Sequence, residues 1–145
     1  MPTYLGNPTP LDWRGDPPHM LKPDIPVWYR WLDTYSDPII TLWYEPYLGG
    51  PTYTKEQLKD PILRQWYFNL AKRPDALAET KNEVWIIEVN ADPGLRAIGQ
   101  LTTYRVLWLR DPKIPKPEKL LLISQTIEPD LLDAAGTLGI ICYIV

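Results

Sequence analysis

The chain has 145 residues, 45% hydrophobic and 23% charged, with a net charge of −3 and a pI near 5.1. That balance suits a folded domain and excludes a disordered tail. The acidic surplus offers no bulk attraction to a phosphate backbone, so any nucleic-acid contact requires a local basic patch. No apolar run approaches the ~20 residues of a membrane helix. No basic stretch followed by an apolar one opens the chain, so neither a membrane partner nor signal-peptide secretion is expected. The single cysteine, Cys142, sits in the apolar run IICYIV and reads as filler.

Seventeen prolines and seven tryptophans are the unusual counts. Residues 1–23, MPTYLGNPTPLDWRGDPPHMLKP, carry so many of the prolines that they read as an extended arm, with residues 24–145 as one domain behind it. Such an arm needs something to hold it, either its own domain or a neighbouring protein subunit. The sequence DIPVWYRWLDTY then spaces Val27, Trp28, Trp31, Leu32 and Tyr35 as a helix starting at Asp24 or Pro26. PIITLWYEPYLGG follows as a strand and a turn at Gly49-Gly50. The aromatics of this half could stack on bases. With few lysines or arginines among them, core packing is the better reading.

Asp60-Pro61 predicts a capped helix through PILRQWYFNLAKR. PDALAETKNEVWIIEVN reads as two strands around a turn at Thr80-Lys81-Asn82. Asp92-Pro93 repeats the cap-and-proline device and predicts a helix to about Arg110. KLLLISQTI is a buried strand, EPDLLDAAGTLG a short helix closed by glycine, and IICYIV a last strand. The expectation is an α/β fold with a mixed sheet covered on both faces.

The hairpin has a chemical consequence. With a two-residue turn at Lys81-Asn82, partner numbers sum to a constant that sets Asp75 opposite Glu88. Asn90 shares their face because strand side chains repeat every two residues. Opposed carboxylates in a half-buried sheet repel and lose hydration, and a hard cation such as Mg²⁺ relieves both penalties. The alternative is that Asp75 turns the entering chain while Glu88 sits at a solvated strand end. On the following helix Gln100 and Tyr104 share a face with Ala97 and Leu107. Gly94 and Gly99 each cost about 1 kcal/mol of helix stability, which predicts close packing of that helix on the sheet.

The run PDALA, then VWIIEVN, then AIGQLTTY resembles the PD-(D/E)XK nuclease superfamily, especially small phage-type members. Pro74-Asp75 matches the PD, Glu88-Val89 opens the E-x-K, and Gln100 with Tyr104 matches a Q-x-x-x-Y element. The resemblance implies a restriction-endonuclease-like mixed sheet flanked by helices. It implies Asp75 and Glu88 as ligands for Mg²⁺ or Mn²⁺, with Asn90, Gln100 and Tyr104 completing a catalytic site acting on DNA. The chain departs from the pattern at Asn90, where the family carries a lysine. A neutral amide can place a water but supplies neither a base nor a positive charge. Arg96 and Arg105 are candidate substitute cations, and the only histidine, His19, falls in the arm, where a solvated role is expected.

Three readings follow. One is a degenerate nuclease fold serving as a structural or binding component of a phage particle, in its neck or tail, docked through the arm and needing no cofactor. Another is an active Mg²⁺-dependent DNA endonuclease. The third is a nucleic-acid-binding module without chemistry. The corresponding locations are a phage virion or the host cytoplasm.

Overall fold

A computed structural model describes residues 2–145. A short 3₁₀ turn leads into helix α1 (Ile25–Tyr35), then β1 (Ile39–Tyr44), α2 (Pro61–Leu70), β2 (Ala76–Thr80) and β3 (Val84–Val89). Helix α3 (Leu95–Arg110), β4 (Glu118–Ser124), α4 (Pro129–Thr137) and β5 (Ile140–Ile144) complete the chain. The strands form one sheet in the order β1-β2-β3-β4-β5. The first three are antiparallel, while β4 and β5 continue parallel to β3 through α3 and α4. The fold is α/β with a mixed sheet. Among the described residues no helix is long and apolar enough to cross a membrane.

Strand alternation sends two sets of side chains to two helical layers. Ala76, Ala78, Ile87, Val89, Leu121 and Ile123 meet Val27, Trp28, Trp31 and Leu32 of α1. Leu77, Val84, Ile86, Leu120 and Leu122 meet Ala97, Leu101, Tyr104 and Trp108 of α3. That second set recurs every three or four residues, the apolar stripe of a helix lying on a sheet. Trp28 and Trp31 stack at 5.3 Å, and the Trp28 indole N–H donates to the Tyr44 hydroxyl at 2.9 Å. Trp28, Trp31 and Tyr44 are core, while Tyr35 stays exposed.

Four features of the structure bear on the expectations above. The arm packs on its own domain, along the free edge of β1. Tyr4 and Tyr47 exchange backbone bonds of 2.9 and 2.8 Å, and the Thr9 N–H donates to the Leu42 carbonyl at 2.8 Å. Met20 is buried in the α1 layer. A proline-rich segment suits an edge, because it need not donate a full ladder of N–H bonds. It also shields that edge from other strands. The arm is therefore held, over these contacts, by its own domain.

Second, Asp92-Pro93 does not open α3, whose first residue is Leu95 with Gly94 before it. The Asp92 N–H is taken by the Asn90 side chain at 3.1 Å, and this turn postpones the helix. Third, Gly94 and Gly99 do not mark close packing: an added Cβ at either would meet nothing within 4 Å. Fourth, β5 is a half-exposed edge rather than a covered strand, with Ile141 and Ile144 open to solvent. The cap at Asp60 does form, accepting from the Ile62 N–H at 2.9 Å, although α2 stops at Leu70.

Candidate functional site

The hairpin register pairs Ala76 with Ile87, Leu77 with Ile86, Ala78 with Trp85 and Glu79 with Val84. One step further, Asp75 meets Glu88, as the turn dictates. Ala76 and Ile87 point to the α1 layer, so Asp75 and Glu88 point to the α3 side. The backbone locks both acids in place. The Val89 N–H donates to Asp75 Oδ2 at 2.8 Å, and the Asp75 N–H donates to Glu88 Oε1 at 3.3 Å.

Each residue is only 8% exposed, which removes the reading of Glu88 as a solvated strand end. Burial raises the Asp75 carboxyl to about 7 and the Glu88 carboxyl to about 8, where the neighbouring Asp75 charge adds to the effect. Neither acid has a salt-bridge partner among the described residues. Asp75 Oδ1 and Glu88 Oε2 likewise have no hydrogen-bond donor among them. A buried acid pair of this kind is strained electrostatically until a proton or a cation joins it.

The pair opens into a cleft of about 310 Å³ lined by His19, Leu21, Asp24, Asp75, Glu88, Val89, Asn90, Arg96 and Gln100. Arg96 stands near enough to favour the charged form of Glu88. The Asn90 carbonyl oxygen accepts from the Asp92 N–H, an Asx turn that leaves only the amide NH₂ free to donate into the cleft. A lysine cannot make that turn. Tyr104 lies beneath the pair and donates to the Arg73 carbonyl at 3.4 Å. Burial raises its phenol, and Glu88 and Asp75 add to the shift, while Arg96 and Gln100 oppose it.

Of the residues singled out from the sequence, Asp75, Glu88, Asn90 and Gln100 line one cleft, and Tyr104 supports it. Arg105 does not join them. It pairs with Glu118 at 3.3 Å and donates to the Leu138 carbonyl. Two cleft residues were not foreseen. Asp24 is 7% exposed and accepts the Ala91 N–H at 2.8 Å, tying the start of α1 to the end of β3. His19 is carried in by the arm, and its Nε2 is 2.5 Å from the Glu45 carboxylate. No local pattern shows that either reaches the cleft, because Asp24 depends on its bond to Ala91 and His19 on the path of the arm.

A divalent cation fits this donor set by its chemistry. Among the described residues no three His, Cys, Asp or Glu side chains converge as a ligand group. Two carboxylates with a free oxygen each are instead the kind of partial shell that Mg²⁺ accepts, with water and phosphate filling the rest. No protein-family model, curated protein or solved structure matches the chain.

Proposed function

We propose that the chain is a nuclease-fold protein of the PD-(D/E)XK type, whose Asp75–Glu88 pair holds Mg²⁺ or Mn²⁺ for phosphodiester hydrolysis. One observation carries this reading: two adjacent carboxylates are buried and raised, and neither has a salt-bridge partner among the described residues. A residue pair with no ligand to bind would be relieved by any change to an amide or an apolar side chain, since isolated buried charges destabilise the fold. The order of elements also supports it. A hairpin bears the acids, the next helix covers them, and the strand after that lies parallel to the hairpin.

Asp75 and Glu88 would hold the ion, which when bound supplies positive charge at the scissile phosphate. The Asn90 amide donates toward a water or a phosphate oxygen in the cleft. Arg96 meets the phosphate from the first turn of α3 and supplies part of the charge that the missing lysine does not. Gln100 and Tyr104 hold the floor. Incubating the protein with plasmid or single-stranded DNA and Mg²⁺ or Mn²⁺ tests this. Cleavage abolished in Asp75→Ala and Glu88→Ala supports it, and intact DNA at high protein concentration removes it.

A second reading is favoured by Asn90, whose carbonyl is committed to the turn and which carries no charge. In that reading the site is a relic without turnover, in a structural or binding component of a phage particle. Protein that binds the cation but cleaves nothing supports this version.

A further inference from the structure

We propose that His19, held by Glu45, is the general base of this cleft and takes the role left open at Asn90; this rests on the nuclease reading above. His19 is the only histidine in the chain. It lies far from the acids in sequence, yet it lines the same cleft as Asp75, Glu88, Asn90 and Arg96. Its Nε2 meets the Glu45 carboxylate, and the side chains of the pair are 30% and 32% exposed. A carboxylate accepts only, so this contact fixes the proton on Nε2 and leaves Nδ1 with its lone pair. Nδ1 has no protein partner among the described residues. A carboxylate that fixes the tautomer of a histidine base is a recurring arrangement for activating a nucleophile.

Glu45 itself points to function. Its φ is +64°, the left-handed region that a glutamate rarely adopts. Strain of that kind persists where the surroundings or a site require it. Here it turns the carboxylate at the end of β1 toward the arm. Tyr47 supports the same oxygen by donating from its hydroxyl at 3.4 Å.

The step balances without a further reagent. Nδ1 takes a proton from the attacking water as the water oxygen bonds to phosphorus. The P–O bond to the leaving oxygen breaks with its electron pair on that oxygen, which then takes a proton from solvent.

Two measurements on untagged protein test this. In metal-free protein, long-range ¹H–¹⁵N correlation of the single imidazole should show the Nε2–H tautomer in wild type. That preference should be lost in Glu45→Gly, a change that also relieves the left-handed backbone and so should not lower Tm. In Mg²⁺- or Mn²⁺-dependent cleavage, His19→Ala and His19→Gln should each lower kcat at least 100-fold with little change in KM. Glu45→Gly should lower kcat about tenfold, and both mutant classes should bind Mn²⁺ as wild type does. An Nδ1–H tautomer, or His19 variants that cleave as fast as wild type, overturns the role of His19 and leaves the nuclease reading standing. A wild type that cleaves nothing ends both.

Discussion

The two ends of the β2–β3 hairpin carry acids in opposite circumstances. Near the turn, Glu79 faces Lys116 at 2.8 Å, and both side chains keep about a quarter of their surface in water (23% and 26%). At the open end, Asp75 and Glu88 are almost fully buried, held by the Val89 and Asp75 N–H groups and without a salt-bridge partner among the described residues. The first end is an ordinary surface ion pair, of a kind worth 1 kcal/mol or less. The second places two carboxyls in low dielectric with no salt-bridge partner among the described residues, which opposes folding unless the acids are protonated or bind a cation. One strand pair thus builds both a neutralised acid and two unmet ones.

The largest effect expected from this contrast is in the pH dependence of stability. Both carboxyls of the buried pair are raised above their ordinary values of 3.8 and 4.5, to about 7 and about 8. Between about pH 4 and pH 8 the native state therefore binds more protons than the unfolded chain, so metal-free protein loses stability as pH rises through that window. The loss amounts to several kcal/mol across that window. Urea unfolding in EDTA at pH 5.5 and 8.5 measures it, and equal or greater stability at pH 8.5 breaks the contrast. A saturating divalent cation should flatten the dependence.

A smaller effect concerns the helix that covers the pair. Gly99 has open space where a Cβ would go, so Gly99→Ala should stabilise α3 by about 0.5–1 kcal/mol. Thermal unfolding reads this, and a lowered Tm would mean that the position serves packing. The smallest effect belongs to the paired end. Lys116→Ala removes the partner of Glu79 and the donor to the Thr80 carbonyl. It should cost about 1 kcal/mol and leave cation affinity unchanged. Altered affinity would show that the two ends are coupled.

Much of this was legible in residue order. Strand and helix alternation, the Asp60 cap and the turn at Lys81-Asn82 are local signals, and the register they impose brings Asp75 to Glu88. What failed depended either on a competing local bond or on distant contacts. Asp92-Pro93 resembles a helix start, but Asn90 captured the Asp92 N–H and moved the start to Leu95. Gly99 suggested close approach because a glycine has a cost in a helix, but that cost does not reveal what stands opposite. His19 reaches the cleft because the arm folds back along β1, and Asp24 through its bond to Ala91, and nothing within a few residues of either encodes those contacts.

The most direct measurement is calorimetric titration of Mn²⁺ into metal-free protein at pH 7.5, with Asp75→Asn and Glu88→Gln beside the wild type. One binding event in the wild type, lost in both variants, with each variant unfolding at a higher temperature than wild type in EDTA, is the predicted result. A wild type that takes up no cation, or variants that bind it equally well, would contradict the assignment of the buried acids as a metal site.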